Sequence, residues 1–250
     1  MDKAAIDEAA RLLAEARRSG SRLERLPEGN RPANFAEAYA IELACLSAIG
    51  DTLAGWKVSV SRTEGVMMGL LVRSRVFGSG ARIPSVLFSM RAIEAEIAFQ
   101  FEQALPPRAA PYSRDEVAAA AIGAPAMEIV DTRFQSFDLT PAFDRAADFM
   151  ANGALVMGPA RRDWREFDFA RTAAHIAING REVVRRVGGH PSRDPLTPAI
   201  ALVNHLRLTT GVAEGMIVTT GSFTGMHFAP QNCAVAIGFD NFGQATCDLI

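Results

Sequence analysis

Ile93-Glu94-Ala95-Glu96-Ile97-Ala98-Phe99 is the stretch on which the reading of this chain turns. In a β-strand successive side chains point to opposite faces, so Glu94 and Glu96 share one face and Ile93, Ala95, Ile97 and Phe99 fill the other. The apolar side reads as core. A second run, Pro125-Ala126-Met127-Glu128-Ile129-Val130-Asp131, sets Glu128 among apolar neighbours in the same way. Glutamate is seldom buried without a partner, and neighbouring carboxylates repel unless positive charge lies between them. A hard divalent cation such as Mg²⁺ or Mn²⁺ answers that repulsion, because it prefers oxygen ligands. For a lone Glu-x-Glu, a solvated strand face is the usual explanation. Three carboxylates in apolar strands favour the metal.

Outward from this stretch, the chain from Gly55 onward has a β-rich texture with Gly and Pro punctuation. Strand-like runs fall at Trp56–Val60, Ile93–Phe101, Ala126–Val130, Gly153–Met157, Ala173–Ile178, Met216–Thr220 and Cys233–Phe239. Helical patterns interrupt them near Arg114–Ala121 and Leu196–Leu208. Ile178-Asn179-Gly180-Arg181 signals a hairpin, since Asn-Gly suits a type I′ turn. Asp240-Asn241-Phe242-Gly243 reads as another tight connection. Before Gly55 the period changes. Ile6, Ala9, Ala10, Leu12, Leu13 and Ala16 recur with helical spacing over residues 2–18. A polar loop with Gly20, Pro27, Gly29 and Pro32 follows, and a second helix starts at Asn34 as N-cap and ends near Gly50. The expected division is a helical region, residues 1–54, and a β domain, residues 55–250.

The 250 residues are 49% hydrophobic with a formal net charge of -2, enough for a sizeable core. That balance offers no electrostatic case for nucleic acid. Apolar runs break off short of a membrane span, and charged residues at Asp2, Lys3, Asp7 and Glu8 argue against a signal peptide. The three cysteines, Cys45, Cys233 and Cys247, are widely spaced, which suggests a reducing compartment. A cytoplasmic protein without membrane or nucleic-acid partners is the expectation.

Phosphate-loop, dinucleotide-binding, nucleophile-elbow and His-Glu-x-x-His motifs are missing. The four histidines show no metal-ligand spacing. Metal chemistry, if present, is carboxylate-based. Lys57, in Gly55-Trp56-Lys57-Val58-Ser59-Val60, is a lysine inside an apolar strand. Desolvated near a metal, its pKa should fall, and it could carry a proton or hold a substrate carboxylate. A snorkelling surface lysine is the alternative. Thr220, Gly221 and Ser222 follow a strand and could offer hydroxyls and backbone N–H groups to a substrate carboxylate; a plain turn fits as well. His190, in Gly189-His190-Pro191, reads as structural.

The ordered set Ala38-Tyr39-Ala40-Ile41, Gly55-Trp56-Lys57, Ile93 to Ala98, Ala126-Met127-Glu128-Ile129-Val130-Asp131-Thr132-Arg133, Gly189-His190-Pro191 and Thr220-Gly221 resembles the 2-keto-4-pentenoate hydratase family. That family includes 4-oxalocrotonate decarboxylases and lies in the fumarylacetoacetate hydrolase superfamily. The resemblance runs from about Phe35 to Leu249. It implies an α+β fold with a mixed, rolled β-sheet core and a helical N-terminal part. It implies Mg²⁺ or Mn²⁺ on Glu94, Glu96 and Glu128, with Lys57 as the catalytic lysine. The implied substrate is a 2-oxo acid that chelates the metal through its carboxylate and oxo oxygens. The implied assembly is a homo-oligomer, with a related partner subunit as a further option. The implied activity is hydration or decarboxylation in the catabolism of aromatic-derived compounds.

Two departures bear on activity. Where hydratases carry an acidic residue, this chain has Met67-Met68-Gly69, and Met67 transfers no proton. The family's Asp-Asn-x-Ser-like stretch is Asp148-Phe149-Met150-Ala151-Asn152 here, which leaves Asp148 as the residue in common. The expected pocket is more apolar than usual and suits a bulkier substrate. Two alternatives stand beside the lyase: a carbon–carbon hydrolase of an acylpyruvate-like substrate, and a non-catalytic partner subunit that keeps the fold.

Overall fold

The computed structural model describes residues 1–250. Helix α1 (Lys3–Ser19) begins at Asp2, whose side chain accepts from the Ala5 N–H, and ends at Gly20 in the left-handed region. Helix α2 (Phe35–Ile49) begins at Asn34, which caps the Glu37 N–H, and ends at Gly50 in the same manner. Ala9, Ala10, Leu13, Ile41 and Cys45 bury the facing sides of this pair in the main core. The helices therefore rest on the sheets rather than standing apart from them.

Strand β1 (Leu53–Ser61) turns into β2 (Gly65–Val72), pairing Lys57 with Gly69 and Ser59 with Met67. The order continues through β3 (Val76–Gly78), β4 (Ala81–Ile83) and β5 (Ala92–Phe101). Helix α3 (Arg114–Ala120) starts with a reciprocal cap between Ser113 and Glu116 and leads directly into β6 (Ala121–Val130). After α4 (Ala142–Ala147) come β7 (Asn152–Met157), β8 (Ala173–Ile178) and β9 (Arg181–Val187). Asn179 and Gly180 both have positive φ, the type I′ geometry expected of that hairpin. Helix α5 (Leu196–Leu206) precedes β10 (Ile217–Thr219), β11 (His227–Phe228), β12 (Cys233–Phe239) and β13 (Gly243–Leu249).

Two mixed sheets result. The larger runs β2-β1-β10-β5-β6-β7-β3, with β11 also paired to β5; the smaller runs β4-β13-β12-β8-β9. Parallel pairs occur at β1/β10, β3/β7 and β4/β13, and the other ladders are antiparallel. The architecture is α+β, with β6 of one sheet packed on β12 and β13 of the other. Ile93, Ala95, Ile97 and Phe99 are fully buried in the core between the sheets. The opposite face of β5 and β6 carries the glutamates.

Six short or featureless pieces escape the sequence pattern: β2, β3, β4, α4, β11 and β13. Strand β2, Gly65-Val-Met-Met-Gly-Leu-Leu-Val72, is apolar at nearly every position. Alternation is therefore absent, although the strand pairs along its whole length with β1.

Candidate metal centre

Antiparallel register places Glu94 directly opposite Glu128 and Glu96 opposite Ala126. All three carboxylates emerge on one sheet face, and one oxygen from each lies within 4.8 Å of the others. The backbone carries them between two apolar patches. Ala98, Ala126, Leu155 and Ile217 close one end of the face, and Ala92, Val130 and Ala151 close the other. Met90, Phe137 and Met226 pack on the second patch and extend it. Glu128 is fully buried and Glu96 is 2% exposed, while Glu94 is half-buried on the open side.

Lys57 reaches the same spot. Its side chain is 15% exposed, and Nζ donates to Glu128 Oε1 at 2.6 Å and to the Met150 carbonyl at 3.1 Å. It is thus an inward-facing lysine. Its pKa does not fall as the sequence reading expects. Burial pushes it down, but Glu128, Glu94 and Glu96 together outweigh burial and raise it. The same crowding acts on the acids. Burial and then Glu128 push Glu94 up to about 7, with Lys57 and the Ser222 hydroxyl pulling the other way. Burial, Glu128 and Glu94 push Glu96 up to about 8, against Lys57 and Thr219. One ammonium does not neutralise three carboxylates.

Hydrogen bonds orient two of these ligands. Asn152 Nδ2 donates to Glu128 Oε1 at 2.9 Å. The Thr219 hydroxyl donates to Glu96 Oε2, which also accepts the Gly221 N–H at 3.2 Å. Of the substrate-binding candidates, Gly221 and Ser222 therefore lie against the glutamates. Thr220 does not, because its hydroxyl donates to the Ile97 carbonyl. The residue on the carboxylate face is Thr219, one position earlier, as strand alternation in β10 requires. Sequence reading missed Thr219 and Asn152. His190 is buried, with Nε2 on the Thr220 carbonyl at 2.7 Å and Nδ1 accepting from Ser192 N–H, so both ring nitrogens are occupied.

The two departures resolve differently. Met67 pairs with Ser59, two positions from the Lys57/Gly69 pair, and so lies on the Lys57 face of the sheet. Phe149 and Asp148 point away from the glutamates. Asp148 is buried between Arg17 and Arg133, and the Arg17 guanidinium stacks 4.0 Å above the Phe149 ring. Phe149, Met150 and Ala151 all have positive φ, a costly conformation for consecutive non-glycine residues. Gly69 makes room for this turn. A Cβ there would sit 2.7 Å from Met150 Cβ and 2.8 Å from the Phe149 carbonyl oxygen. The close approach brings the Met150 carbonyl to Lys57.

The residues fit a divalent cation. Glu128 Oε2 is buried and has no hydrogen-bond partner. Lys57 offsets one of the three carboxylate charges, and a cation among Glu94, Glu96 and Glu128 would take up the free oxygen and supply the remaining positive charge. The donor set is all oxygen, which suits a hard ion rather than zinc.

No family model matches the chain. Its sequence is 28% identical to a 2-keto-4-pentenoate hydratase of Burkholderia vietnamiensis over 255 aligned positions, covering 97% of both chains. It is 26% identical to a 2-oxo-hept-4-ene-1,7-dioate hydratase of Escherichia coli, covering 86% of both. Among solved structures, 4-oxalocrotonate decarboxylase from Pseudomonas putida G7, complexed with magnesium and adipate, superposes with a TM-score of 0.87. That likeness covers 100% of this chain and 99% of the other at 18% identity, and it establishes a common fold.

Proposed function

We propose, from the premise that the chain belongs to the 2-keto-4-pentenoate hydratase and 4-oxalocrotonate decarboxylase family, that it is a divalent-metal-dependent lyase acting on a 2-oxo or 2-hydroxy-dienoate acid. The observation that carries this reading is the meeting of Glu94, Glu96 and Glu128 on one face, with Lys57 2.6 Å from Glu128. Mg²⁺ or Mn²⁺ is the ion we assign. When bound, it would supply positive charge for the substrate carboxylate and for the negative charge that develops on the 2-oxo oxygen.

The chain's own groups do the rest. Glu94, Glu96 and Glu128 hold the ion. Asn152 and Thr219 fix the rotamers of Glu128 and Glu96, so that little reorganisation is needed at the moment of reaction. Lys57 keeps a proton on Nζ beside the glutamates and is the group placed to deliver it to the substrate chain, or to take one from it. The Gly221 N–H and the Ser222 hydroxyl line the side of the face where the substrate carboxylate would enter. Met90, Phe137 and Met226 form an apolar rim that holds the substrate tail and excludes water.

Hydration and decarboxylation use the same charge stabilisation and differ in what meets the tail. With Met67 on the Lys57 face and an apolar rim, the pocket favours a substrate with a larger or more apolar tail than 2-hydroxypenta-2,4-dienoate. A carbon–carbon hydrolase needs a base to activate water, and His190 is committed to the backbone. A non-catalytic subunit would have no need to keep Lys57 and three converging glutamates. We place the enzyme in the cytoplasm as a homo-oligomer; no helix is long and apolar enough to cross a membrane. Purified protein supplied with Mg²⁺ or Mn²⁺ and assayed against a panel of 2-oxo and 2-hydroxy-dienoic acids tests the reading. Metal-dependent loss of substrate absorbance, with release of CO₂ or uptake of water, is the expected result. Acylpyruvate cleavage without lyase activity would replace it with the hydrolase.

A further inference from the structure

We infer that a second site, an arginine-lined cavity behind the Asp148–Asn152 turn, binds a small oxyanion with two or more negative charges, of the phosphate or short dicarboxylate class. The cavity has a volume of about 290 Å³ and is lined by Arg17, Arg18, Arg22, Arg75 and Arg133. Its volume is at the small end of ligand pockets, which run from roughly 300 Å³ upward.

Five guanidiniums meet two lining aspartates, Asp51 and Asp131. Asp131 is already saturated. Its Oδ1 accepts the Ser89 and Met90 N–H groups, and its Oδ2 accepts Arg22 and Arg133. Asp148, behind the wall, is equally committed to Arg17, Arg133 and Thr132. Arginine carries five N–H donors, and these carboxylates use only a few. Arg17 is only 10% exposed, yet its Nε has no partner, and Arg22 Nε and Nη1 are likewise buried without one. Buried unpaired donors of charged groups are expensive, and an oxyanion with several acceptor oxygens would give them partners.

The guanidiniums also act on one another. Burial, followed by Arg133, lowers the Arg17 pKa to about 10, and Asp148 only partly offsets them. Arg75 is lowered by burial and by Arg133. Helices α1 and α2 both end at this cavity, and each C-terminus adds roughly half a negative charge. Arg18 is paired with Glu15 at 3.1 Å, and counting that pair, the three aspartates and the helix ends brings the cavity close to neutral, so the case for an anion rests on the unpartnered guanidinium donors and the cavity they line. The site is distinct from the metal centre. The Asp148–Asn152 turn separates them, offering Asp148 and Phe149 to Arg17 on one side, and the Met150 carbonyl and Asn152 to Lys57 and Glu128 on the other.

Calorimetric titration of the full chain, dialysed free of divalent metal, tests the inference. Without metal the three glutamates repel anions, so the outcome does not depend on the lyase reading. The probes are inorganic phosphate and succinate, with sodium chloride at matched ionic strength as control. Saturable binding of at least one oxyanion is expected, weakened about tenfold or more in Arg22→Gln/Arg75→Gln, a loss of about 1.4 kcal/mol. Tighter phosphate binding would assign a phosphate-bearing ligand, and tighter succinate binding a dicarboxylate. Arg75→Gln alone removes no ion pair of the fold and serves if the double variant does not fold. Heats no larger than those of chloride, or full affinity in a folded variant, would overturn the inference.

Discussion

At the scale of single residues, the account rests on unbalanced charge. Replacing Glu96 or Glu128 with Gln should weaken Mg²⁺ and Mn²⁺ binding by well over tenfold while leaving the fold intact, because each change removes a ligand charge and adds no volume. Calorimetry on the Glu96→Gln protein checks this, and unchanged affinity would remove it from the ligand set. Lys57→Met should abolish turnover and spare metal binding; residual turnover near wild type would remove Lys57 from the chemistry. The raised carboxyl groups set a pH dependence. A folded-state pKa above the unfolded value, as for Glu94 and Glu96, means that the metal-free fold holds extra protons between about 4.5 and about 8. Its stability is therefore fullest below that window and declines as pH rises through it. Metal binding needs the deprotonated acids, so the gain in melting temperature from Mg²⁺ should grow from pH 6 to pH 9. A gain that shrinks over that range would contradict the charge picture.

At the scale of elements, Gly69 and the Phe149–Ala151 turn belong together. Gly69→Ala places a methyl against Met150 and the Phe149 carbonyl and should destabilise by about 1–3 kcal/mol. Denaturant unfolding measures that cost, and kcat should fall with it, since the Met150 carbonyl that holds Lys57 must move. A fully active, fully stable Gly69→Ala protein would show that the close approach is dispensable. Elements were legible in the sequence where alternation was clean. Strand β5 showed one apolar face and one carrying Glu94 and Glu96, and in β6 Glu128 stood out as a lone carboxylate among apolar residues. Strand β2 could not be read this way, since its residues are apolar on both faces. Thr219 was hidden for another reason: only the pairing of β10 with β1 and β5 fixes which of two adjacent threonines faces Glu96. Asn152 was hidden because a left-handed turn, which no local pattern announces, aims it at Glu128.

At the scale of the whole molecule, two mixed sheets and two capping helices hold an acidic face between apolar patches. With Met67 on the Lys57 face, hydration of 2-hydroxypenta-2,4-dienoate should be slow, since general acid–base groups contribute roughly 10²–10⁴-fold. Met67→Asp should raise it, and a normal hydration rate in the wild-type protein would show that no group is missing at that position. The helical N-terminal part and a mostly β remainder followed from the change of hydrophobic period near Gly55, and the α+β fold with its rolled mixed sheet followed from the family resemblance. The arginine cavity was not legible, because Arg75 and Arg133 lie far in the chain from the Arg17–Arg22 segment and meet it only through packing. The central claim is a divalent cation on three glutamates, and diffraction from crystals soaked with Mn²⁺ and oxalate, a mimic of the charged substrate head, tests it most directly. The account predicts one anomalous peak bounded by Glu94, Glu96 and Glu128, with oxalate chelating the ion on the Gly221 and Ser222 side. Manganese bound elsewhere, or an anomalous map flat between the three carboxylates, would contradict it.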